Sequence, residues 1–443
     1  MCIRDSLIAG LIYFIAKRYR DKYYPTGHPY HVYFLPSLSI KMVSAIVICL
    51  IYVYYYKGGD TINYFNHAQI INSAFSESPE KWLNLLLAIP PRLDPDYYEY
   101  TRQMEWYGVS GVYLVAQLAA IFSLFTFNTF LPASLLFAAL SFTGIWALFL
   151  SFANMFPKYR ESIATSILFI PSVALWGSGI FKDTLCLFGL GWLCYATLQF
   201  FVNGNRTFRN TILMMLSFLL VAILKVYIVI CFIPALFGWM VFKNTSRIPN
   251  KSLAAFANLI ILALMAGSFV LLYNQFSGSL GKYSVENIRE TAQTTRGWIA
   301  YMSKIDKGSG YDLGNFDPTF LGMLSKFPQA VNVALFRPYF WEANKLIAFF
   351  NAIESLIFLL LSVRVLLVIG WKDVLKTIAN DHTVQFTFIF SIIFAYSVGI
   401  TTYNFGALSR YRIPCLPFYL LTLVLIFYQN ARPGQRLFKS LRL

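Results

Sequence analysis

The chain has 443 residues, 58% of them hydrophobic and only 13% charged, with a mean hydropathy of +0.58 and a formal charge of +16. That balance excludes a water-soluble enzyme with a single globular core and predicts an all-α polytopic integral membrane protein, since several apolar runs approach the ~20 residues that cross a bilayer. The positive charge does not gather into a basic block interleaved with aromatics, which argues against nucleic acid as a partner.

In chain order, the first apolar run, 7–16, is too short to span and unlike a cleavable signal peptide. It reads as part of a truncated start. Spans are predicted at 39–56, 130–154, 162–178, 184–201, 211–224, 226–242, 252–273, 346–367, 384–401 and 413–428, about eleven crossings with the partial first one. The apolar segment 108–127 is nearly long enough to cross and is read as a re-entrant or surface helix, with Lys225 capping a hairpin between 211–224 and 226–242. On this reading the loops of one side carry 18 Lys and Arg against 4 acids, and those of the other 16 against 14. The positive-inside rule places the first set in the cytoplasm and the protein in the cytoplasmic (inner) membrane as a multi-pass chain. The whole of 1–443 is then one transmembrane domain with two large external loops, 57–128 and 274–344. The first carries surface helices and aromatics such as Trp82 and Trp106, suited to an interface.

Isolated ionisable residues beside apolar spans are costly and are functional candidates by default. Asp60 follows Gly58 and Gly59 at the outer end of a span, a place for an N-cap and also for a general base that takes a proton from an attacking hydroxyl. Asp183 stands beside Lys182 after the turn of Pro171-Ser172-Val173-Ala174-Leu175-Trp176-Gly177-Ser178-Gly179, where it could assist or bind a metal. Lys225, Arg337, Arg410 and Arg412 supply cations that match phosphate oxygens, with Glu342 near Arg337 and with Tyr403 and Asn404 opening the run that leads to Arg410. Tyr64 and His67, on the helix after Asp60, complete the set of substrate-binding candidates. Asp94-Pro95-Asp96 has a spacing that can hold a divalent cation, so a metal cofactor is left open although none is required. The four histidines form no metal constellation, and no Walker motif, dinucleotide fingerprint or serine elbow occurs. The six cysteines lie in apolar stretches or at the extreme N-terminus and read as small core residues.

The order of these features resembles that of the GT-C membrane glycosyltransferases, in particular the mannosyltransferase and aminoarabinose-transferase-like group. The counterparts are Asp60; the segments 61–74 and 108–127; Leu131-Pro132-Ala133-Ser134; Pro157-Lys158-Tyr159-Arg160; Pro171; and Asp183. The resemblance covers roughly 40–200 and departs from the family in having one early acid rather than an adjacent pair. The GGDxxxY-like run at 58–64 is also similar to the early external loop of exopolysaccharide and O-antigen polymerases. Both resemblances imply a polyprenyl-linked sugar donor, a glycan or lipid acceptor and an outward-facing site among membrane lipids. A flippase or transporter of lipid-linked sugars is the alternative of a different class, expected to show internal repeats and broken helices with polar groups near mid-membrane.

Overall fold

The computed structural model describes residues 3–245, Leu253, 310–314 and 320–438. Within them the chain is helical, with one isolated bridge between Gly310 and Asn404. In chain order the helices are α1 Ile3–Tyr23, α2 His31–Leu50, α3 Asp60–Ser73, α4 Pro79–Leu86, α5 Tyr98–Thr101, α6 Tyr113–Phe125, α7 Phe130–Ala153, α8 Arg160–Leu168, α9 Pro171–Trp176, α10 Lys182–Thr197 and α11 Phe208–Thr245. They continue with α12 Phe320–Ser325, α13 Phe327–Phe336, α14 Leu346–Ile369, α15 Trp371–Asn380, α16 His382–Thr401, α17 Phe405–Tyr411 and α18 Leu416–Asn430.

Six helices among the described residues are long and apolar enough to cross a membrane, seven if the pair α17 and α18, bent by 66°, counts as one span. The protein is therefore an α-helical membrane protein. The predicted span 252–273 lies outside the described residues, as does most of the predicted loop 274–344. Segment 7–16 is the middle of α1. Segment 108–127 yields only the 13-residue α6, too short to cross, which lies against α3 and ties to it where Asn72 Nδ2 donates to the Ala120 carbonyl at 3.0 Å.

The apolar part of α11, Phe208–Met240, has 33 residues, which as a straight helix would be roughly 50 Å long against a hydrocarbon core of about 30 Å. Lys225 breaks it, with φ −152° and ψ 83°. The arm before the break packs on α10, where Val221 meets Gly189, and the arm after it packs on α16, with Tyr227 against Phe394 and Trp239 against Phe386. Met214, Met215 and Phe218 of the first arm share one apolar cavity with Phe232, Ile233 and Leu236 of the second, so the chain reverses at Lys225. Helices α7 and α10 cross closely. A Cβ on Gly191 would stand 1.9 Å from the Gly144 carbonyl oxygen, an approach that only glycine permits.

The predicted span 162–178 is broken into α8 and α9. Proline at the first position of α9 lacks an N–H and pushes Ile170 into an extended conformation, which ends α8. Backbone groups released by such a break inside an apolar bundle need partners. Glu354 Oε2 accepts from the Ser172 N–H at 2.8 Å, and Lys41 Nζ donates to the carbonyls of Val173 at 3.0 Å and Gly177 at 2.9 Å. A carboxylate thus stands at the positive end of α9 and a lysine at its negative end, as the peptide dipoles favour. Both side chains are buried, and neither was among the residues singled out from the sequence.

Replacing Lys41 by Met leaves the two carbonyls without a donor and is expected to cost about 1–3 kcal/mol. Glu354→Ala, which also strands Arg412, is expected to cost about 3–5 kcal/mol. Thermal unfolding in detergent followed by tryptophan emission measures both; unchanged midpoints would show that α9 needs no clamp.

Candidate functional site

At the end of the bundle where α2 gives way to α3, a cleft of about 880 Å³ opens between α3, the segment 106–112, the start of α10, the reversal of α11 and the end of α17. Its charged centre is Arg410, in the last turn of α17. Arg410 Nη1 donates to Asp60 Oδ2 at 3.0 Å and Nη2 to Asp183 Oδ2 at 3.2 Å, so one guanidinium links carboxylates from the first and fourth long apolar segments of the sequence. Asp183 Oδ1 accepts from Lys225 Nζ, which also lies 4.5 Å from the centre of the Tyr411 ring. The guanidinium is boxed by the rings of Phe181 at 4.7 Å and Trp176 at 5.8 Å. Its Nε is buried with no acceptor among the described residues.

The two acids differ in surroundings. The Asp183 side chain is 2% exposed and has both oxygens engaged by cations, whereas that of Asp60 is 50% exposed and faces the open cleft. Asp60 is the first residue of α3 and not its cap; the capping position is Gly59, at a φ of 107° that a side chain would resist. Lys182 lines the same wall half-buried, and no ion pair holds it among the described residues. Three cations therefore face two carboxylates, a donor set suited to an anion that can accept from Lys and Arg together. The remaining walls, Val109, Val112 and 222–224, are mostly apolar backbone-and-side-chain surface. A second cavity of about 470 Å³, apolar and sharing no lining residue with the cleft, lies against the two arms of the α11 hairpin and the end of α10.

Of the residues singled out from the sequence, Asp60, Tyr64, Lys182, Asp183, Lys225 and Arg410 come together here. The others do not line the cleft. Arg412 is 1% exposed and donates from Nη1 to the Ala334 and Arg337 carbonyls and Ser355 Oγ and from Nη2 to Glu354, so it closes the end of α13 and is not placed to touch a substrate. Tyr403 is fully buried and stacked on Tyr311, and the Asn404 side chain caps α17 by accepting from the N–H groups of Gly406 and Ala407. Arg337 and Glu342 pair with each other in a separate cluster at the end of α13. His67 is buried behind Trp106, at 5.3 Å between ring centres, and supports the wall that Trp106 and Tyr64 form. Asp94 and Asp96 lie in a turn in which the Asp96 N–H donates to Asp94 Oδ1, and no group of three or more His, Cys, Asp or Glu among the described residues could hold a metal ion.

Sequence reasoning missed the rings that orient Arg410, namely Trp176, Phe181 and, through a long 3.5 Å contact from Nη1, the Tyr52 hydroxyl. Phe181, two positions before Asp183, was the one of these that closeness to a candidate acid could have signalled. At the opposite end of the bundle Tyr159 stacks on Tyr428 of α18 beside Lys158 and Arg436, both cations in loops read as basic.

Removing the buried acid with Asp183→Ala strands Lys225 and Arg410 and is expected to cost about 3–5 kcal/mol, whereas Asp60→Ala breaks a half-exposed pair worth about 1 kcal/mol or less. Paired thermal melts test this, and equal losses would contradict the asymmetry. Burial, with Arg92 adding to it, pushes the His67 imidazole down from 6.5 to about 4. The unfolded chain takes up that proton first, so stability should fall as pH drops through 6.5 towards 4 and His67→Gln should flatten the fall, read from unfolding midpoints across that range. No protein-family model matches the chain, and no curated protein and no solved structure matches it either, so what this cleft does has to be read from its own chemistry.

Proposed function

We propose that the protein transfers a sugar from a polyprenyl-phosphate-linked donor to an envelope glycan, lipid or protein acceptor at the outer face of the cytoplasmic membrane, as a GT-C-like enzyme. The observation that carries this reading is the Arg410 centre: one guanidinium held between a buried and a half-exposed carboxylate, flanked by Lys182 and Lys225, in a cleft whose other walls are largely apolar. A phosphate would accept from the cations while the hydrocarbon chain behind it lies along the α11 hairpin. Asp60 would take the proton of an acceptor hydroxyl as that oxygen bonds to the anomeric carbon. The bond from that carbon to the phosphate oxygen breaks, its electron pair leaves with the phosphate, and the cations stabilise the charge that develops there. Asp183 would act through Arg410 and Lys225, which it fixes in place, rather than on the sugar. Since both carboxylates are already engaged by Arg410, a divalent metal is not needed for this scheme. The basic residues at the opposite end of the bundle support the outer location.

Polymerisation of an O-antigen or exopolysaccharide repeat is the same chemistry with a lipid-linked glycan as acceptor. A second reading, translocation of lipid-linked sugars, draws on one specific observation: the helix broken between α8 and α9, with Lys41, Glu354 and Arg412 around the break.

The test is sugar transfer in proteoliposomes containing polyprenyl-phosphate-linked sugar donors and an envelope-lipid acceptor, with wild type, Asp60→Asn and Arg410→Ala at matched protein content. Turnover is expected to fall by about 10²–10⁴-fold in Asp60→Asn with donor retention kept, and both to be lost in Arg410→Ala. Movement of the donor across the bilayer without any new glycosidic bond would replace this reading by translocation. Full turnover in Asp60→Asn would remove Asp60 as the base.

A further inference from the structure

The cluster at the end of α13 has a chemistry unlike that of the cleft. Arg337 Nε donates to Glu342 Oε2 at 3.0 Å and Nη2 to Oε1, a two-point pair that answers the charge of each partner. The guanidinium is also enclosed by the rings of Tyr311, Tyr339 and Phe405, at 5.8, 5.7 and 5.4 Å. Little cationic character remains for a phosphate, contrary to the role that its sequence position suggests. What the cluster offers instead is a flat aromatic face beside a neutral pair of donors and acceptors. Tyr339 and Trp341 are stacked, with ring centres 4.9 Å apart and planes within 28°, and Trp341 is 79% exposed. The turn that carries them is rigid: Glu342 Oε2 accepts from the Tyr339 N–H at 2.8 Å, and the Arg337 carbonyl accepts from Arg412 Nη1 and Ser355 Oγ.

We infer that Trp341, backed by Tyr339 and flanked by the Arg337–Glu342 pair, is a binding platform for an uncharged sugar ring of a glycan. The C–H face of a pyranose is weakly positive and rests against the negative face of an aromatic ring, while its equatorial hydroxyls reach the donors and acceptors at the ring edge. Stacking on a partner ring holds the indole without a cost in side-chain entropy when the sugar arrives. The platform and the cleft belong to one short helix. Phe405 at the start of α17 touches Arg337, and Arg410, five residues and roughly 7.5 Å of helix rise further on, centres the cleft. A glycan whose reacting end lies at Arg410 would be held at a neighbouring unit by Trp341. The inference rests on the proposed transfer only for the purpose of that binding, not for the binding itself. An aromatic residue anchoring the protein in the headgroup layer is the competing role for such an indole, and it makes a different prediction.

The experiment uses the full chain in lipid nanodiscs and a panel of neutral hexose and N-acetylhexosamine tetrasaccharides, with binding read by saturation-transfer NMR. Wild type is expected to bind at least one of them, Trp341→Ala to weaken that binding about tenfold or more, and Trp341→Phe to restore part of it. In parallel, nanodiscs made with brominated lipids report whether Trp341 emission, taken as the difference between wild type and Trp341→Phe, is quenched by the bilayer. Binding of no oligosaccharide by wild type, or equal binding by Trp341→Ala, overturns the inference, and bromine quenching together with either result assigns Trp341 to the membrane interface. Oligosaccharide binding that persists in a protein with no sugar-transfer activity would remove the transferase reading and leave the platform standing.

Discussion

Everything at the cleft depends on taking one guanidinium out of water and giving it partners from distant parts of the chain. Arg410 is joined to Asp60, at the entrance of α3, and to Asp183, at the entrance of α10, which in turn holds Lys225 at the reversal of α11. Desolvating a charge costs several kcal/mol, and attraction in a weakly polar medium offsets this only when geometry and hydrogen bonds are complete. Asp183 meets that condition with both oxygens. The network therefore fixes four helix ends against one another, and the cleft has its shape because those ends cannot move apart without exposing an unpaired charge.

The same rule operates away from the cleft. Lys41 and Glu354 close the two ends of α9, and Arg412 closes the end of α13 while sharing Glu354. The loop leaving α9 carries Phe181 and Lys182 straight to Asp183, so the buried clamp on α9 and the exposed site are mechanically continuous. Ionisable residues in this protein thus serve two purposes, satisfaction of broken backbone in the interior and assembly of a charged centre at one end.

How much of this was legible in the sequence can be judged from particular residues. The membrane class and the helical content followed from composition, because a bilayer admits few backbone solutions. Asp60, Asp183, Lys225 and Arg410 were recognisable one by one, since charge next to an apolar run is rare. Their convergence could be guessed from topology but not measured, because the pairings bridge 42 to 350 positions of sequence. Arg412 shows the limit most plainly: it is two residues from Arg410, has the same chemistry and sits in the same motif, yet the turn of the helix sends it into the interior. Spacing along a 3.6-residue period places side chains on different faces, and without the neighbours nothing tells which face is wet. The break at Pro171 was visible as a proline, but an apolar stretch of the right length reads as a crossing whether or not it is continuous.

The reversal at Lys225 has a consequence for the surrounding lipid. The arms 208–224 and 226–240 rise only roughly 25 and 22 Å, less than the ~30 Å of a typical hydrocarbon layer. A bilayer meeting this hairpin has to thin to match the arms, at a fraction of a kcal/mol for each ångström. The water boundary is then drawn down to the level of Lys225 and Asp183. The thickness of the membrane becomes a variable of the cleft itself, setting how deeply its charged floor is wetted.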